Sequence, residues 1–146
     1  MNPAPELANP TRAVRLLHGA LVGGLAMSGA VFVLVRRLSL GPTFPLPPIL
    51  AFVLAGFTII VVLLAARIVR PTIPDRQVDQ SSDAYWSDAI RRGRALILWA
   101  MTEGSGLVAV IGYYLTGVPA TAIAYAVALG TLIMFRPSRL EATGAA

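Results

Sequence analysis

The stretch 91–117, RRGRALILWAMTEGSGLVAVIGYYLTG, constrains this chain more than any other. Three arginines stand near its start, and residues 95–115 then carry a single charge, Glu103. At ~1.5 Å of rise per residue such a run crosses a hydrocarbon core of roughly 30 Å as one helix. A carboxylate inside it costs up to ~3 kcal/mol on insertion scales, so it needs a proton, a partner or water. Helical spacing sets Trp99, Ala100, Gly106 and Leu107 beside it, a wall half small and half bulky. If the chain has a chemical centre, Glu103 is its place.

The rest of the chain agrees with a membrane setting. Hydrophobic residues make up 56% and charged residues 13%, against about 25% charged in ordinary soluble domains. The twelve basic residues are all arginine, and they flank the apolar runs instead of gathering on one face. That distribution fits topology signals and lipid headgroups, and argues against a nucleic-acid surface. There is no cysteine, hence no disulfide and no thiolate metal site. The first ten residues, MNPAPELANP, lack the basic start of a signal peptide, and residues 1–13 are expected to be a disordered tail.

Four apolar runs follow, over about 14–35, 49–69, 95–115 and 118–135. The first contains Gly19, Gly23 and Gly24. With Gly104 and Gly106 of the third run, these are the candidate helix-packing residues, because small residues four apart let a second helix come close. The neighbour is expected either in the same bundle or on another chain. LSLGPTFPLPP, over 38–48, excludes a helix and predicts a turn at the membrane surface. In the second run, Phe52, Phe57, Ile60 and Leu64 share a bulky side that would face lipid or a partner.

Residues 70–94 form the one sizeable polar loop. Ser82 or Asp83 can cap a short helix carrying Tyr85, Trp86, Ala89 and Ile90 into the third span. Tyr85, Trp86, Arg91, Arg92 and Arg94 are read as interfacial anchors, with this helix lying on the membrane. Asp75, Asp79, Asp83 and Asp88 lack the spacing of a calcium loop and sit among arginines, so a self-neutralising loop is expected. Residues 136–146 are expected to be a cytoplasmic tail, disordered over 140–146, LEATGAA.

Four spans give an all-α membrane protein built as two tandem hairpins. The N-terminus, the polar loop and the C-terminus then share one side with Arg12, Arg15, Arg67, Arg70, Arg76, Arg91, Arg92, Arg94, Arg136 and Arg139. Only Arg36 and Arg37 fall on the other. Arginine bias therefore puts both termini in the cytoplasm, in what is read as a bacterial inner membrane. A weak repeat supports the pairing: Arg12-x-x-Arg15 and Arg91-x-x-Arg94 open the hairpins, and Val69-Arg70-Pro71-Thr72 and Phe135-Arg136-Pro137-Ser138 close them. In that register Gly24 takes the place of Glu103.

Three roles fit Glu103. It can carry a proton or cation, it can tie its helix to Ser28, Thr58, Tyr113 or Tyr125, or it can meet a polar group on another chain. Ala100-Met-Thr-Glu103-Gly-Ser-Gly106-Leu107-Val108, beside a glycine-rich first helix, resembles the rotary ATP synthase proteolipid (c-type) family. The resemblance covers about 25 residues and implies an ion-binding role for Glu103 alone. In that family the carboxylate is in the second helix of a hairpin, whereas here it is in the third span. The only histidine, His18, is expected to be an interfacial polar residue. No nucleophile–base set, phosphate loop or metal-ligand cluster occurs, so neither an enzyme nor a cofactor is expected. The function expected is that of an accessory or scaffold subunit, contacting lipid, other membrane subunits or copies of itself. The alternative is a proteolipid-like ion carrier.

Overall fold

In the computed structural model, which describes residues 9–38 and 47–142, every regular element among the described residues is helical. The proline-rich turn at 39–46, the first eight residues of the expected N-terminal tail and the last four of the C-terminal one lie outside the described residues.

Helix α1 (Pro10–Arg37) begins inside the segment expected to be a tail. Asn9 is the reason: its side chain accepts from the Arg12 amide at 3.1 Å, and Pro10 supplies a pre-set φ at the first helical position. Helix α2 (Pro48–Leu64) continues through a π turn at Ala65–Val69 and a 3₁₀ turn at Arg70–Thr72. Pro71 has no amide to give Arg67 and its ring crowds that carbonyl, so the helix widens, tightens and stops. Helix α3 (Ser82–Ser87) is capped by Ser81, not by Ser82 or Asp83. Asp88 then breaks the chain and caps α4 (Ala89–Thr116) through the amides of Ile90 and Arg91, so Ala89 and Ile90 belong to α4. Helix α4 ends at Gly117, whose φ of 69° is left-handed. Helix α5 (Pro119–Met134) and a single turn, α6 (Pro137–Leu140), complete the fold.

Three helical stretches are long and apolar enough to cross a membrane: Pro10–Arg37, Pro48–Thr72 and Ala89–Thr116. α5 is apolar but has only 16 residues.

The packing corrects the expected pair of hairpins. α4 and α5 pack together as neighbours in sequence, but α1 and α2 do not lie side by side; each packs on α4 and α5 instead. Two glycines of α4 permit this. A methyl group on Gly106 would come within 2.9 Å of Leu25 from α1, and one on Gly112 within 3.0 Å of Leu54 from α2. Leucines from two flanks therefore seat against the same helix, and α4 becomes the centre of the bundle. α1 runs parallel to α4, since His18 meets Trp99, Leu25 meets Gly106 and Phe32 meets Tyr114 in order.

The arginine-rich end corrects two further expectations. Tyr85 and Trp86, expected at the headgroup level, are fully buried within the protein. The chain after Arg136, expected to be a tail, folds over them: Leu140 and Glu141 are buried. Trp86 Nε1 donates to Glu141 Oε1 at 2.7 Å and Ser82 to Glu141 Oε2 at 2.8 Å. The Tyr85 hydroxyl donates to the carbonyls of Pro74 and Leu140. Burial pushes this phenol upward against the pull of Arg91 and Arg70, which keeps it a donor.

The expected arginine anchors hold this layer together. Arg91 lies over the Tyr85 ring at 4.2 Å and donates to the Tyr85 carbonyl. Arg92 donates to the carbonyls of Trp86 and Ser87, and Arg94 to that of Thr72. Glu141→Ala strands the Trp86 and Ser82 donors and should cost about 1–3 kcal/mol, read as a lower Tm of the purified protein in detergent. Glu141→Gln keeps an acceptor for Trp86 and should lose less. A Glu141→Ala protein that melts like the wild type would contradict this arrangement.

Candidate functional site

Two polar tethers from other helices fix the end of α5. The last carbonyls of any helix lack intrahelical donors, and in an apolar surrounding they need side-chain partners. His18 Nε2 lies 2.9 Å from the Leu132 carbonyl, and Trp99 Nε1 donates to Phe135 at 2.8 Å. A carbonyl can only accept, so the proton of His18 is on Nε2. The imidazole also meets the Trp99 ring edge-on at 5.0 Å between centroids. His18 is therefore a buried interhelical tether, not the interfacial polar residue expected.

At the opposite end Arg36, expected to mark topology and meet lipid headgroups, donates to the Tyr114 carbonyl at 3.1 Å. Its guanidinium lies against Gly117, where a side chain would collide with it. α1 is thus tied to α5 at one end and to α4 at the other. Neither tether was found from the sequence; the signal in each case was a polar residue near a span end, read as facing lipid.

Two of the partners expected for Glu103, Thr58 and Tyr125, are engaged elsewhere. Thr58 donates to Leu54 at 2.9 Å and to Ser105 at 3.0 Å, which ties α2 to α4. The Tyr125 hydroxyl lies against Gly29, where any side chain would overlap it, and donates to the Leu25 carbonyl at 3.0 Å. Glu103 is in none of the three ion pairs among the described residues, which join Arg15 to Glu141, Arg70 to Asp75 and Arg91 to Asp88. Its carboxylate is half-buried at the outer edge of the α1–α4 contact. There a methyl group on Gly24 would sit 3.8 Å from Oε1. The two positions that the repeat aligns thus face each other across the parallel helices.

The candidate packing glycines divide into two groups. Gly106 is filled by Leu25 and Ala128. Gly19, Gly23 and Gly104 are exposed, with nothing within 4 Å of where a side chain would start. Apart from Gly24, which meets the Glu103 carboxylate, the first-helix stripe therefore makes no contact within this bundle. It faces outward, with Ala20, Met27, Ala30, Val31 and Leu34 exposed beside it. Close internal contacts are made by Gly29, a glycine of the first run outside its small-residue pairs, and by Gly112, which is not among the candidates.

Among the described residues, no group of three or more His, Asp or Glu side chains could hold a metal ion. Asp75 pairs with Arg70, Asp83 accepts from the Thr11 amide and Asp88 caps α4. Comparison with family models, with curated proteins and with solved structures finds no match to this chain.

Proposed function

We propose that this chain is a non-enzymatic integral membrane subunit whose outer α1 face, with Glu103 at its edge, packs against another membrane helix. The observation that carries the proposal is the contrast between the two sets of glycines. Those facing inward are filled by Leu25, Leu54 and Tyr125, whereas Gly19 and Gly23 leave the α1 backbone open along an apolar face. A bare backbone gains van der Waals contact only when a second helix covers it. The half-buried carboxylate offers that helix an acceptor for an arginine, a hydroxyl or an amide. A scaffold or accessory role in a larger complex follows, with the partner another subunit or a second copy.

In this proposal α5 is a fourth span. At ~1.5 Å per residue its 16 residues cover roughly 24 Å, which requires local thinning of the bilayer. Exposed Ile123, Val127, Ile133 and Met134 support contact with lipid. Both termini and the polar loop then lie in the cytoplasm of a bacterial cell, following the arginine bias. Reporter fusions after Gln80 and Arg139 should read as cytoplasmic and one at Pro45 as external; a cytoplasmic signal from Pro45 would refute four spans.

Glu103 separates the subunit from the ion carrier that the proteolipid resemblance suggests. In a subunit, Glu103→Gln and Glu103→Leu should leave the Tm of the purified chain nearly unchanged, because no internal bond is lost. Both should weaken retention of co-migrating proteins after mild detergent extraction by about tenfold or more, the size of one charge-assisted hydrogen bond. Proton flux through the wild type in proteoliposomes, abolished by Glu103→Gln, would establish the carrier instead.

A further inference from the structure

An apolar cleft of about 290 Å³ opens between the first turns of α1 and α4, at the arginine-rich end. Ala13, Val14 and Leu17 form one wall, Leu96 and Trp99 the other, and Trp86 of α3 closes the end. Its one charged lining residue is Arg92, and no acid lines it. Leu17 and Leu96 are each 41% exposed, so the cleft is open at the surface. We infer that it holds one acyl chain of an anionic phospholipid from the surrounding bilayer, with the lipid phosphate on Arg92.

Charge and position carry the assignment. Arg92 Nη1 donates to the carbonyls of Trp86 at 2.7 Å and Ser87 at 3.0 Å, which fixes the guanidinium on the wall of the cleft. None of the ion pairs among the described residues includes Arg92; its neighbour Arg91 is the one that takes Asp88. The remaining nitrogens form a planar edge suited to two phosphate oxygens. The site lies where an arginine cluster gives way to an apolar span, the depth at which headgroup and acyl chain meet. A zwitterionic lipid would fill the cleft but bring its own cation beside the phosphate, whereas an anionic lipid brings Arg92 a net counter-charge. The outer α1 face used by a partner helix is a different surface, so this inference stands apart from the subunit proposal.

The two tryptophans of the chain, Trp86 and Trp99, both line the cleft and are 0% and 1% exposed. Their emission therefore reports on what enters it. The full chain is reconstituted in phosphatidylcholine vesicles containing either phosphatidylglycerol or phosphatidylcholine brominated on the acyl chains. Half-maximal quenching by the brominated phosphatidylglycerol should need about a fivefold lower mole fraction, the preference expected of one basic residue near an anionic surface. Arg92→Gln should remove the preference and Arg92→Lys should keep it. Ala13→Phe, which fills the cleft, should reduce quenching by both lipids, with circular dichroism confirming the helical fold of each variant. Equal quenching of the wild type by the two lipids would overturn the inference. So would the absence of quenching, or a preference that survives in a folded Arg92→Gln protein.

Discussion

The structure depends on satisfying carbonyls at helix ends where water is scarce. α5 has only 16 residues, and α4 stops at a left-handed glycine only two residues before α5 begins. Each of these ends is met by a side chain from another helix. His18 and Trp99 serve the end of α5, and Arg36 serves the end of α4. Each bond contributes on the order of 1 kcal/mol net, but an unmet buried carbonyl would cost more than that. α1 supplies two of the three tethers, one at each of its ends, so its position is set by polar bonds as well as by packing. That explains how α1 can hold its place while leaving much of its glycine surface uncovered.

Close approach supplies the second constraint. Gly106 and Gly112 make α4 thin enough for Leu25 of α1 and Leu54 of α2 to seat on it, and Gly29 lets the Tyr125 hydroxyl reach the α1 backbone. Thr58 adds a bond between α2 and α4 without exposing a polar atom to lipid. With these contacts made, the bundle has no internal use for Gly19 and Gly23. Their exposure beside a carboxylate that is in no ion pair among the described residues distinguishes the α1 face from the bulky outer face of α2, where Phe52, Phe57 and Ile60 are exposed. Large flexible side chains suit lipid, whereas a bare backbone suits another helix.

Much of the helical layout was legible in the sequence. The four apolar runs, their arginine borders and the stops at Pro71 and Gly117 are local signals, and the helices follow them to within a few residues. The partners of those helices were not legible. Glycine spacing is the same whether a stripe faces inward or outward, so it marks Gly23, which is open, and misses Gly112, which is filled. Adjacency in sequence suggested an α1–α2 hairpin, but nothing local says that α4 will come between them. Amphipathic Tyr85 and Trp86 look the same under lipid headgroups as under a folded-back chain. Only Glu141, 55 residues further along, decides between these for Trp86. Asn9 is the opposite case: a cap that could have been read, masked by the prolines around it.

The central claim is that the open face of α1 is covered by another helix in the native membrane. The chain has no cysteine, so a single thiol can be placed at will. Gly23→Cys on the open α1 face and Ile123→Cys on α5, both exposed sites, can be treated in native membranes with a short thiol-specific photo-crosslinker. Gly23→Cys should give a discrete adduct of higher mass and Ile123→Cys none. Two variants that yield only lipid adducts, or the same protein adducts in equal amount, would contradict the central claim.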